Sequence, residues 1–223
     1  MKNIFLNSFA RSGSNIISLI LQHTLECNIK GEAIAYTKNL FINPTNLDLS
    51  IYKTHRNQQG NHMWDPNHKE NIFEGITFNY FILVLRNPFD AIIRHNEIDV
   101  KMGLINGDKW WCGKTEEFIN FYNNCITEYN NFDGPKYTIY YEDFMDNPGG
   151  EITKICNHFN FPIVNNPNLV HEKISEKSKQ NHKLVSGKST QNNSNGIPNN
   201  ILERYLNKLL KDEKIIRYTH DIT

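Results

Sequence analysis

The sequence predicts a three-layer α/β domain with a central, mainly parallel sheet, and three observations carry that prediction. Tyr80-Phe81-Ile82-Leu83-Val84-Leu85 is an unbroken apolar run of the kind found in strands covered on both faces. Twice, near the start of the chain and again from Tyr80, a short apolar run gives way to a polar turn and then to apolar residues at helical spacing. The resulting order, β-α-β-β-α-α-β-α, is most economically folded with parallel strands and crossover helices.

Taken in order, Ile4-Phe5-Leu6 opens the first strand, Asn7-Ser8 ends it, and Ile16, Ile17, Leu19, Ile20 and Leu21 follow on a helix. A second strand is predicted over 49–54, and the third, from Tyr80, is the central one. Pro88 suits the first turn of the next helix, in which Ala91, Ile92 and Ile93 lead toward Met102 before Gly103 and Gly107 break the pattern. Phe118, Ile119, Tyr122, Cys125, Ile126 and Tyr129 then repeat at three and four residues, after a helix start at Thr115-Glu116. Gly134-Pro135 ends that helix, and the β-branched and aromatic stretch 137–141 reads as a strand. Ile152, Ile155, Cys156 and Phe159 mark a helix closed by Pro162, and 201–210 is amphipathic. Residues 173–200 are rich in Ser, Asn, Lys and Gly, which predicts a mobile loop inside a single domain spanning 1–223.

With 24 Lys plus Arg against 24 Asp plus Glu, the chain has no basic surplus, so bulk electrostatic capture of nucleic acid is not expected. Cys27, Cys112, Cys125 and Cys156 are far apart, with no C-x-x-C pair, and read as buried free thiols. The short, Asn- and Ser-bearing N-terminal run is not an export signal, and no stretch reaches about 18 apolar residues. A cytoplasmic protein with no membrane span is the expectation; the sequence specifies no oligomeric state.

Phe9-Ala10-Arg11-Ser12-Gly13-Ser14-Asn15 lies between the first strand and its helix, where exposed N–H groups and the helix dipole favour an anion. Gly13 permits close approach, Ser12, Ser14 and Asn15 offer hydrogen bonds, and Arg11 adds a positive charge. The G-x-x-x-x-G-K-[ST] pattern is absent, so an ordinary magnesium-dependent nucleotide hydrolase is disfavoured. Taken alone, the segment reads equally well as a Ser/Gly turn.

Lys53-Thr54-His55 follows an apolar strand end, and extended backbone would set Lys53 and His55 on one side. A histidine there can accept a proton while the ammonium offsets charge on a leaving oxygen. On its own, a histidine at a strand end is more often a surface or hydrogen-bonded group. In Leu85-Arg86-Asn87-Pro88-Phe89-Asp90, Arg86 falls at the carboxyl end of the buried strand, where open parallel sheets bind ligands, and Asp90 reads as structural. Arg11, His55 and Arg86 would thus converge on one crevice.

These segments resemble the sulfotransferase family, in which a P-K-S-G-T-type loop, a K-T-H segment, an R-x-P-x-D segment and a Y-E-D-L segment occur in this order. Here they read SFARSGSN at 8–15, YKTH at 52–55, LRNPFDAIIRH at 85–95 and YYEDFMDNP at 140–148. The resemblance implies a P-loop-NTPase-like sulfotransferase fold and a co-substrate, 3'-phosphoadenosine 5'-phosphosulfate (PAPS), used without a metal. It implies that the loop from Arg11 to Asn15 holds the 5'-phosphosulfate, that Arg86 binds the 3'-phosphate, and that His55 is the general base with Lys53 on the bridging oxygen. Tyr141 would touch the adenine side. Arg94 stands where the family has Ser and would add a second guanidinium at the 3'-phosphate or mark an altered donor site. Ile16 replaces the aromatic that commonly stacks on adenine. Lys183 and Lys188 are faint counterparts of a closing R-K-G-type loop. The acceptor, a small molecule, carbohydrate or other hydroxyl or amine compound, is left open, with Trp64, Trp110 and Trp111 either lining its pocket or filling the core. Two alternatives remain at this stage: a P-loop-like kinase and a catalytically inactive nucleotide-binding relative.

Overall fold

A computed structural model describes residues 1–31, 42–55, 73–91, 115–180, 199–209 and 211–219. Five strands form one sheet: β1 (Lys2–Ser8), β2 (Cys27–Gly31), β3 (Asn46–Thr54), β4 (Tyr80–Leu85) and β5 (Lys136–Tyr140). Their order is β2-β3-β1-β4-β5, and each pair is parallel. The central, apolar β1 pairs with β3 on one side and β4 on the other, and Ile4, Phe5 and Leu6 are fully buried.

Seven helices are described in full: α1 (Ser14–Leu25), α2 (Thr115–Asn130), α3 (Tyr141–Asp146), α4 (Pro148–Phe159), α5 (Pro167–Gln180), α6 (Asn199–Lys208) and α7 (Glu213–Thr219). They cover the sheet on both faces. Strand alternation sends Phe5, Tyr52, Phe81 and Leu83 into one core with Phe118, Tyr122, Ile126, Tyr205 and Ile215. Ile4, Leu6, Ile51, Ile82 and Val84 point the other way, against Ile17, Ile20, Phe144, Ile152, Ile155 and Ile174. The three-layer α/β architecture expected from the apolar run at β4 is the one observed, and the described sheet is wholly parallel.

Local signals set the helix ends. Asn147 accepts from the Gly150 N–H at 3.0 Å, and Pro148 occupies the first turn of α4, where a missing N–H costs nothing. Asn160 closes α4 in the left-handed region at φ 54°.

Four described elements were not expected. β2, Cys-Asn-Ile-Lys-Gly, has little strand propensity and forms as an edge by pairing with β3. The short helices α3 and α7 are too brief to show a period. Residues 173–180, expected to belong to a loop, are instead helical, because α5 continues to Gln180 and buries Val170 and Ile174 one turn apart; residues 181–198 lie outside the described residues. Two apolar anchors on an otherwise polar helix are enough for burial but too few for recognition from composition.

Cys27, Cys125 and Cys156 are buried free thiols; burial pushes Cys27 up to about 12 and Cys156 to about 11. Cys112 lies outside the described residues. Among the described residues, no helix is long and apolar enough to cross a membrane.

Phe5 meets Phe73, Phe78 and Phe81 at ring-centroid distances of 5.9, 4.7 and 4.9 Å. Phe5→Ala is expected to destabilise the domain by about 3–5 kcal/mol, read as a lowered urea midpoint with the transition slope unchanged.

Candidate functional site

Parallel register brings four strand ends level. Asn7 pairs with Thr54, Ser8 with Val84, and Leu85 with Tyr140, so the segments after β1, β3, β4 and β5 leave the sheet along one edge. The chain runs from β1 toward β2 and from β4 toward β5, opposite sides of the sheet. A crevice at such a reversal is where open α/β sheets place ligands.

The β1–α1 loop has backbone turns that can hold an anion. Arg11 and Gly13 are both left-handed, at φ 65° and 82°, and the Ser12 N–H donates to the Phe9 carbonyl at 3.3 Å. Backbone folded in this way turns successive N–H groups toward one point. Gly13 is obligatory on two counts: its φ, and the edge of the Tyr141 ring, which a Cβ would strike. The first turn of α1 carries no acidic residue and no side-chain cap. Ser12 is fully buried, and its Oγ has no hydrogen-bond partner among the described residues. A buried hydroxyl lacking a partner costs free energy that an incoming oxygen ligand would recover. Ser14 is buried behind it at the head of α1, Asn15 is half-buried, and Arg11 is exposed at the crest.

Lys53 and His55 do meet. Lys53 Nζ is 3.0 Å from His55 Nε2, and His55 Nδ1 is 2.8 Å from the Ser8 carbonyl oxygen. A carbonyl only accepts, so Nδ1 carries the hydrogen, and Nε2 of the neutral ring presents its lone pair to the ammonium. Lys53 is 1% exposed, held inside the sheet by pairing of β3 with β1 and β2. The His55 ring stands edge-on to Phe121, at 6.3 Å, on the far core.

Arg86 is also buried, at 3% exposure. Its Nη1 donates to the Arg11 carbonyl at 3.1 Å, its guanidinium lies 4.8 Å over the Tyr141 ring, and Nη2 is 4.0 Å from Asp90 Oδ2. The Arg86 side chain thus fastens the β1–α1 loop, with the Tyr141 ring lying against both Arg86 and Gly13. Asp90, in the first helical turn, lies beside the Arg86 guanidinium.

The sequence-named residues Arg11, Ser12, Gly13, Ser14, Asn15, Lys53, His55, Arg86 and Tyr141 therefore border one edge of the sheet. Arg94, Lys183, Lys188, Trp64, Trp110 and Trp111 lie outside the described residues. Sequence reasoning missed Glu142, Asn87, Tyr122 and Tyr218. Glu142 Oε1 accepts from the Asn87 N–H at 2.9 Å, and Oε2 accepts from the Tyr218 hydroxyl at 2.7 Å. Only the Y-E-D segment itself could have flagged Glu142, because its partners are 55 and 76 residues away.

No protein-family model matches the chain, and no curated protein matches it. Solved structures do resemble it. Mouse sulfotransferase SULT7A1, in a structure complexed with PAP, aligns with a TM-score of 0.63 over 99% of this chain and 89% of that one, at 13% identity. A sulfotransferase from Alicyclobacillus acidocaldarius aligns with a TM-score of 0.51 over 81% of this chain and 92% of that one, again at 13% identity. The chain has the P-loop-like fold of the sulfotransferases.

Beside the site, Arg217 on α7 grips Asp143 with two hydrogen bonds, of 2.9 and 2.7 Å, and lies 4.2 Å over the Tyr140 ring. The hydrogen bonds from Arg217 hold the Asp143 carboxyl below its ordinary value. A depressed folded value means that this contribution is complete above the ordinary value of 3.8 and is lost as pH falls through the folded value. Asp143→Asn is expected to cost about 0.5–1 kcal/mol near pH 6. That cost should shrink as pH falls from 3.8 through the depressed folded value, as urea melts near pH 6 and in strong acid would report.

Proposed function

We propose that this protein is a sulfotransferase that moves a sulfuryl group from PAPS to a hydroxyl or amine acceptor. The observation that carries the reading is the position of the Lys53–His55 pair, at the end of β3, beside a cradle of backbone N–H groups at the end of β1. An anion site and a base–cation pair on neighbouring strands are what transfer from a phosphosulfate needs, and the fold is one that sulfotransferases use. The complex of the mouse protein with PAP, the product left when PAPS loses its sulfuryl group, supports the choice of donor.

In this reading the loop of Arg11, Ser12, Gly13, Ser14 and Asn15 binds the 5'-phosphosulfate through the N–H groups of 13–15 and its side chains, Ser12 Oγ gaining the partner it lacks. Arg86 binds the 3'-phosphate. Because its guanidinium is buried, the nucleotide must displace what covers it as it docks. Arg94 and Lys188 are proposed to add positive charge around the same phosphate. Tyr141 flanks the nucleotide from its place against Gly13.

The reaction is an in-line displacement. The acceptor oxygen or nitrogen forms a bond to sulfur, the bond from sulfur to the bridging oxygen breaks, and the electron pair leaves with the 5'-phosphate. His55 Nε2 takes the acceptor's proton, while Nδ1–H stays on the Ser8 carbonyl and fixes the ring. Without substrate the Lys53 ammonium occupies that lone pair, so the base becomes available only when Lys53 moves to the bridging oxygen. The charge of the departing phosphate draws it there. The pair thus exposes its base when a donor is bound.

Calorimetry with adenosine 3',5'-bisphosphate (PAP) against ADP, followed by an acceptor screen with labelled PAPS, tests the reading; preference for ADP with magnesium would contradict it. His55→Ala is expected to lower turnover by about 10²–10⁴-fold while changing PAP affinity by less than about twofold. Unchanged turnover would refute the assignment of the base.

A further inference from the structure

The peptide group after Arg86 is gripped at both ends. Its carbonyl, on Arg86, accepts a 2.7 Å hydrogen bond from the buried Tyr122 hydroxyl. Its N–H, on Asn87, donates to Glu142 Oε1 at 2.9 Å. The second carboxylate oxygen, Oε2, accepts from the Tyr218 hydroxyl at 2.7 Å. Two elements distant in sequence, α2 and α3, therefore meet on a single peptide plane, and α7 reaches it through Glu142.

Fixing that plane constrains ψ of Arg86 and φ of Asn87, and with them the way the chain leaves β4. Asn87 Oδ1 then accepts from the N–H groups of Phe89, at 3.0 Å, and Asp90, at 3.4 Å, which sets the helical turn carrying Asp90 beside Arg86. The clamp thus sets both the guanidinium and the carboxylate next to it. Burial, with the negative charge of Glu142, keeps the Tyr218 phenol protonated as a donor. α7 is itself held by the two Arg217–Asp143 hydrogen bonds and by Arg217 over Tyr140.

We infer that Glu142, Tyr122 and Tyr218 are positioning residues for Arg86, so that the docking of α7 sets the preference of the site for a nucleotide bearing a 3'-phosphate. This rests on the sulfotransferase reading, in which Arg86 holds that phosphate. A hydrogen-bonded carboxylate at this distance is suited to the task because charge-assisted bonds are short and directional, and both of its oxygens are engaged.

The test is the ratio of affinities of the full chain for PAP and for AMP, which shares the 5'-phosphate and lacks the 3'-phosphate. Tyr218→Phe and Tyr122→Phe are each expected to lower that ratio about five- to tenfold, with AMP affinity kept within about twofold. Glu142→Gln can still accept from the Asn87 N–H and donate to Tyr218, so it should retain more of the ratio than Glu142→Ala. Arg86→Lys serves as the reference for loss of the preference. If Arg86→Lys erases the preference and both Phe variants keep it, or if the Phe variants lower melting temperature and weaken both nucleotides alike, the inference falls and the sulfotransferase reading stands. A wild-type protein with no preference for PAP, or an Arg86→Lys variant that retains it, would overturn the role of Arg86 itself and the inference with it. The two Phe variants remove one hydroxyl each, so the test survives even if Glu142→Ala does not fold.

Discussion

Parallel pairing of β3, β1, β4 and β5 is the constraint on which everything at the site depends. Lys53 lies near the end of β3, His55, Arg86 and Tyr141 each directly follow a strand, and the loop from Arg11 follows β1, so strand pairing sets their height along the sheet edge. A one-residue slip of β3 against β1 would turn Lys53 to the other core and take His55 Nδ1 away from the Ser8 carbonyl. The apolar faces resist such a slip, because it would also turn Leu49 and Ile51 out of their core.

The electrostatics of the site follow from burial. Lys53 and Arg86 are cations almost without solvent, 1% and 3% exposed, in a chain whose charges balance overall. Such groups are tolerated only where acceptors meet them. Lys53 meets an imidazole lone pair, and Arg86 meets a backbone carbonyl, an aromatic face and a carboxylate. A phosphate entering the proposed site would compete with these acceptors for both cations.

Much of this was legible in the sequence. The apolar run at β4 announced a buried parallel strand, and the K-T-H spacing placed Lys53 and His55 on one side because a strand repeats every two residues. Gly13 was read as permitting close approach of a ligand; what the structure places there is the edge of the Tyr141 ring, which the sequence did not announce. What stayed hidden was long-range or weakly patterned. β2 has no strand composition and exists through its neighbour, α5 rests on two apolar anchors, and the grip of Glu142 on Asn87 and Tyr218 joins segments 55 and 76 residues apart. The burial of Arg86 was equally invisible, because a sequence reports a cation at a strand end but not the carbonyl that ties it down.

The central claim is that one crevice, at the carboxyl edge of the sheet, receives an adenosine carrying phosphates at both its 3' and 5' positions. A crystal structure of the protein with PAP tests it most directly. The account predicts the 5'-phosphate against the N–H groups of 13–15 with Ser12 Oγ in contact, the 3'-phosphate against Arg86, and Lys53 drawn away from His55 Nε2. A nucleotide seated elsewhere, with the loop after β1 empty, would contradict it.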